Sequence, residues 1–197
     1  MFRCPNAYVY YNYINYLNIV LVSTAEQADN LGRTFYFLFL PTAPANTQGV
    51  EILLTTPTST PVRVNVTAPS FSRSLTVKKG QVQIVSLPAS LRSTQPGRSN
   101  KTVRVMANGE VSVSALNRGS CGNQLVLPLK MLGDTYYVMT WKPVSGFAQI
   151  SVLAVEENTT VRVTVGGDAG ATIEYEGTVY KKGISVFMDG FNNVIIC

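Results

Sequence analysis

Two short stretches limit what this chain can become. "VRVNV" (62–66) and "VRVTV" (161–165) each set three valines on alternate positions with a polar residue between them. Successive side chains of an extended strand point to opposite faces, so Val62, Val64 and Val66 share one face while Arg63 and Asn65 take the other. Val161, Val163 and Val165 do the same, with Arg162 and Thr164 outward. No window sustains the period of about 3.6 residues that a helix requires. From Leu31 onward, runs rich in Val, Ile, Thr, Tyr and Phe recur at intervals of about ten residues, bounded by Pro, Gly, Asn and Ser. Strands are expected at 34–40, 50–55, 62–67, 73–78, 81–87, 102–107 and 111–116, then at 135–141, 147–155, 160–165, 171–176, 178–181 and 184–188. The pattern predicts an all-β fold, an antiparallel β-sandwich, with a propeller-like array of sheets as the alternative architecture.

The valine runs are also landmarks of an internal repeat. "LGRTFYFLFL" at Leu31 is followed by "LGDTYYVMTW" at Leu132, an offset of 101 residues; the valine runs lie 99 apart and the Lys-Lys-Gly glycines, Gly80 and Gly183, 103 apart. Three landmarks in the same order at nearly one offset predict two tandem pseudo-repeats of about 100 residues. The first spans 30–130 and the second, 131–197, is incomplete, because "RSNKTVRVMANGEVSVSALN" has no second copy. A sheet short of a strand has an unpaired edge, so a further domain or another copy of the chain is expected to cover it.

Composition narrows the function. The chain has 197 residues, 46% of them hydrophobic and 14% charged, which suits a packed core and not a disordered segment. Its net charge of +5 comes from cations spread singly or as the pairs Lys78-Lys79 and Lys181-Lys182, without the basic run and interleaved aromatics of a nucleic-acid surface. There is no histidine, which removes the commonest general base and metal ligand, and the only adjacent carboxylates, Glu156-Glu157, would point to opposite faces of a strand. No catalytic residue, cofactor or metal site is expected, and the chain is not expected to be an enzyme. No stretch of about 18 apolar residues suggests a membrane span.

Residues 1–29 stand apart. Arg3, a Tyr/Asn-rich stretch, the apolar run Leu17–Val22 and Ser23-Thr24-Ala25 fit a secretory signal in outline, with a plain strand or an unstructured start as alternatives. Within "VRVMANGEVSVS", Asn108-Gly109 predicts a type I′ hairpin turn between Val103–Val105 and Val111–Val113. Cys4, Cys121 and Cys197 are the cysteines. After removal of a signal, Cys121 and Cys197 could pair, closing a loop of about 75 residues worth roughly 4 kcal/mol, or Cys197 could pair beyond this segment. Sequons place candidate N-glycans at Asn65, Asn100 and Asn158. Trp141, beside Tyr136 and Tyr137, is a candidate glycan-stacking residue or a core residue.

One long stretch carries a family resemblance. In "GEVSVSALNRGSCGNQLVLPLKMLGDTYYVMTW", a strand ending at Asn117, a Ser/Gly loop, Leu127-Pro128 and Leu132-Gly133 leading to Tyr136 follow one another as in the N-terminal domain of the IgGFc-binding protein family. "FAQISVLAVEENTTVRVTV" and, upstream, "LGRTFYFLFLP" resemble further blocks of it, so the resemblance covers about residues 30–190. It implies a secreted or surface-associated, non-enzymatic β domain that binds or scaffolds extracellular protein, in mucus or in cell adhesion. Fc binding comes with the family's name only, since no Fc-contacting motif maps onto these residues. A lectin-like module using Trp141 is the alternative.

Overall fold

The computed structural model describes residues 2–3, 7–10, 29–40, 49–93, 97–118, 122–138, 150–166, 172–181, 183–188, 190 and 193–196. Cys4, Cys121, Cys197 and Trp141 lie outside the described residues, as does most of 1–29. The strands are β1 (Phe2–Arg3), β2 (Ala7–Tyr10), β3 (Gly32–Phe37), β4 (Val50–Thr55), β5 (Val62–Ala68), β6 (Phe71–Val77), β7 (Gln83–Leu87), β8 (Gly97–Ser99) and β9 (Val103–Asn117). They continue as β10 (Gly122–Val126), β11 (Thr135–Tyr136), β12 (Ile150–Ala154), β13 (Thr159–Thr164), β14 (Ile173–Tyr175), β15 (Thr178–Tyr180), β16 (Gly183–Met188) and β17 (Asn193–Ile196). Among the described residues, helix is confined to the 3-10 turns Ala89–Leu91 and Leu129–Met131, and no helix is long and apolar enough to cross a membrane. The strand ladders are antiparallel, as the alternating pattern predicts for sandwich-type sheets.

The chain divides into two units. The first consists of Ser23–Thr94 and Lys101–Leu132, the second of Met1–Val22, Gln95–Asn100 and Gly133–Cys197.

In the first unit everything is hung on β9. Val103–Ala107 of this strand lies between β3 and β5, with β6 beyond β5. Ser112–Asn117 lies between β10 and β4, with β7 beyond β4. Its odd-numbered valines all lie inward: Val103, Val105, Val111 and Val113 are fully buried, as are Phe35, Phe37, Ile52 and Val64 on the strands beside them. Burying each such side chain contributes about 1.5–3 kcal/mol relative to exposure.

β9 overturns the expected hairpin. Asn108-Gly109 is not a turn; it lies inside the fifteen-residue strand, past the end of the β5 ladder and within the irregular stretch between the Thr34–Met106 and Gly32–Val111 pairs of the β3 ladder. Asn108 Oδ1 accepts the Arg63 N–H at 2.8 Å just past the last β5–β9 pair, and a Cβ on Gly109 would lie 2.9 Å from Val62 Cγ2. The glycine is there for close approach of the core, which a strand-interior Gly often signals. The type I′ hairpin occurs elsewhere, at Glu176-Gly177, where both residues take positive φ (48° and 75°) and Tyr175 pairs with Thr178.

The second unit has a core of Val152, Ala154, Val161, Val163, Val186 and Met188, extended by Ile173 and Tyr175. β13 pairs with β16 and β12 with β17, whose far side carries β8. Two N-terminal strands are built into these sheets: β1 pairs with β11 and β13, and β2 with β12. Gly183, at φ +147° in the β13–β16 ladder, leaves no room for a Cβ, which would strike the Val163 carbonyl. Gly80, at φ +77°, sits instead in the turn between β6 and β7, so the two Lys-Lys-Gly landmarks do not occupy matching places.

Tyr175 sets a chemical limit on the second unit. Its hydroxyl accepts from Arg98 Nε at 3.1 Å and donates to Glu176 Oε1 at 3.0 Å. Burial, reinforced by Glu176 and opposed by Arg98, raises its pKa above 10.0. Because the folded state favours the neutral phenol, this contribution is present in full below pH 10.0 and is lost as pH rises through the folded value. Tyr175→Phe should therefore flatten the alkaline fall in stability, measured by urea unfolding on either side of pH 10.0. Gly109→Val should cost about 1–3 kcal/mol by overpacking against Val62, read from the same midpoints.

Candidate protein-binding face

Consecutive apolar residues in a strand cannot both face the core. Leu53-Leu54, Ile84-Val85 and Leu125-Val126 are such doublets in the β10-β9-β4-β7 sheet of the first unit. Leu54, Val85 and Val126 are fully buried, so Leu53, Ile84 and Leu125 are turned outward. The ladders align them: Ile84 pairs with Leu53, Leu53 with Ser114 and Ser114 with Leu125. The result is a row across four strands, with Ile84 51% and Leu125 54% exposed at its ends. Val82, 55% exposed, precedes β7 on the same strand path.

The next row of this face is ionic. Ser86, Glu51, Leu116 and Asn123 are paired across the sheet in that order. Glu51 accepts from Ser86 Oγ at 3.3 Å and bridges to Arg118 Nε at 2.9 Å. An apolar strip beside an ordered charge pair is the make-up of a protein-contact surface, with an apolar centre and a polar rim.

The β3-β9-β5-β6 half of the same seven-stranded sheet is different. Its outward row is Thr34, Met106, Asn65 and Ser74; in the next row, Thr67 and Ser72 are exposed, Arg104 is half-buried and Tyr36 is buried. Arg104 stands over the Tyr36 ring at 5.6 Å and Ser74 Oγ donates to Asn65 Oδ1 at 2.7 Å. Of the sequon residues, Asn65 is therefore exposed on a polar sheet face, Asn100 is exposed after β8, and Asn158 is exposed in the β12–β13 turn at φ 55°. The three are not brought together into one site. Cys121, Cys197 and Trp141 fall outside the described residues.

Sequence reasoning missed two things here. The doublets signalled the outward leucines and isoleucine, but their alignment into a row depends on register, which no strand carries alone. It also missed Arg92, a buried cation beneath the sheet. Arg92 Nε donates to Asn117 Oδ1 at 2.9 Å, its Nη2 to the Arg118 carbonyl at 3.2 Å, and burial pushes its pKa below the ordinary value. Asn117 Nδ2 donates in turn to the Leu40 carbonyl at 3.1 Å, which ties the end of β9 to the segment after β3. Asn117→Ala would strand the Leu40 oxygen and an Arg92 donor in the interior, so a loss of about 2–4 kcal/mol is expected in denaturant unfolding.

The motifs quoted for the family resemblance have physical roles in this structure. Pro128 is buried where a Cβ on Gly32 would collide with it, so the Leu127-Pro128 and Leu31-Gly32 motifs fit one another. In Leu132-Gly133 to Tyr136, the Tyr136 hydroxyl accepts the Gly133 N–H at 2.9 Å and donates to the Gly133 carbonyl at 2.6 Å. In "EENTT", Thr159 Oγ1 donates to the Glu156 carbonyl at 2.7 Å and closes the turn that Asn158 makes. Comparison with curated proteins and with solved structures gave no match. A protein-family model described as IgGFc binding protein matches residues 122–188, from β10 through β16, and over that span the chain is similar to the IgGFc binding protein family.

Proposed function

We propose that this chain is a non-enzymatic, extracellular protein-binding and scaffold domain that engages its partner through the outer face of the β10-β9-β4-β7 sheet. The observation that carries the reading is the aligned row Ile84, Leu53, Ser114 and Leu125. Antiparallel sandwiches ordinarily keep polar residues on the solvent side, so an apolar row there costs solubility unless something covers it. Similarity to a binding-protein family over residues 122–188 supports a protein partner. The exposed sequons at Asn65, Asn100 and Asn158 support passage through a secretory route, and glycans at Asn65 would crowd the polar half of the sheet while leaving the apolar one clear. Mucus or cell-surface association follows from the family reading, and immunoglobulin Fc enters only as one probe among extracellular proteins.

Three versions of the full chain test this, each secreted from a eukaryotic host and checked for a glycosidase-sensitive mass. Wild type, Leu53→Glu with Ile84→Glu, and a control with Ser72→Glu and Ser74→Glu are used to capture extracellular proteins, Fc included. The apolar-face variant should lose about tenfold or more of the captured partner, in keeping with loss of a buried apolar centre, while the control captures as wild type does. Equal capture by all three would sink the assignment of this face, and a chain retained in the cytosol without glycans would sink the extracellular reading.

A further inference from the structure

The second unit repeats the pairing scheme of the first, with one strand taken from elsewhere in the chain. In the first unit β5 pairs with β6 and β4 with β7; in the second β13 pairs with β16 and β12 with β17. In the first unit β9 completes the scheme by pairing with β3, β5 and β4. In the second, β11, β13 and β12 hold the matching places, and what pairs with them is β1 and β2. β1 and β2 together therefore fill the slot that β9 fills in the first unit.

The way this strand is held differs from a hairpin. β5 and β6 are joined by Pro69-Ser70, a turn that enforces pairing within one chain. Between Tyr10 and its partner Ser151 lies the whole of the first unit's sequence, and no turn links donor to acceptor. Pairing within one chain is then favoured only by effective concentration, which for a tethered segment is on the order of millimolar. The acceptor edges are demanding: Ser151, Val152, Leu153 and Ala154 of β12 are all fully buried, so leaving that edge open would expose apolar surface and unpaired backbone groups.

We propose that, where copies are crowded to about the effective concentration of the tether, this slot takes β1 and β2 from a second copy of the chain, so that copies link by exchange of the β1–β2 segment. The same ladders form in either arrangement, and only the tether changes, which is the condition for exchange of an identical element. Linked copies would present several apolar faces at once, as a scaffold does.

The test is refolding of the full chain from denaturant under reducing conditions, at about 1 mM, comparable with the effective concentration of the tether, and at about 1 µM, far below it. Light scattering after size exclusion should show dimers or longer chains at the high concentration and monomer at the low one. Val9→Pro, which fixes φ and takes away the backbone N–H at the centre of β2, should cut the linked fraction about tenfold. Should that variant fail to fold, a fluorescent peptide of residues 1–12 carrying Cys4→Ser gives an independent reading. It should be captured by the wild-type chain during refolding and competed by its unlabelled form, whereas the Val9→Pro peptide should not compete. Failure of the peptide to bind, or a linked fraction that Val9→Pro leaves undiminished, would overturn the proposal.

Discussion

The first unit depends on one strand keeping one face inward across a change of partners. β9 runs from Val103 to Asn117, beginning between β3 and β5 and ending between β10 and β4, while Val103, Val105, Val111, Val113 and Ala115 remain buried. Period two makes this possible: an insertion or deletion of one residue anywhere along β9 would turn one half of its valines to solvent. The glycine at 109 meets the steric demand where the strand passes Val62, and Asn108 supplies the acceptor that the ladder cannot. At the far end, Asn117 and Arg92 anchor the strand with buried, charge-assisted hydrogen bonds, which are costly to leave unmade.

Holding β9 in register has a consequence for the surface. Since its even positions must face outward, Ser112, Ser114 and Leu116 become the middle of the β10-β9-β4-β7 outer face, and the flanking ladders bring Ile84, Leu53 and Leu125 into line with Ser114. The β3-β9-β5-β6 half of the same seven-stranded sheet turns out Arg104, Met106, Asn65 and Ser74. One unit thus has an apolar outer face and a polar one carrying a sequon. The functional reading rests on that asymmetry together with the family similarity of residues 122–188.

Much of this was legible beforehand, for identifiable reasons. Val62–Val66 and Val161–Val165 declare their strands because alternation is a local property, and both runs bury the valines that the pattern assigns inward, Val165 alone being only partly buried. The Leu132-Gly133 to Tyr136 motif could be recognised because its hydrogen bonds are made within four residues. Asn108-Gly109 misled for the converse reason. A two-residue signal cannot distinguish a turn that needs positive φ from a strand interior that needs an absent Cβ, and here Val62, distant in sequence, decides.

The sequence by itself determined the class of structure: all-β and antiparallel, with alternation marking which side of most strands meets the core. Those properties follow from each residue's immediate neighbours along the chain. Only the tertiary structure decided which strands lie side by side, because pairing joins residues far apart in sequence and its register is a collective outcome of packing. That is why the aligned row at Ile84, Leu53 and Leu125, the buried Arg92–Asn117 contact, and the pairing of β1 and β2 with strands of the second unit could not be read from any single stretch.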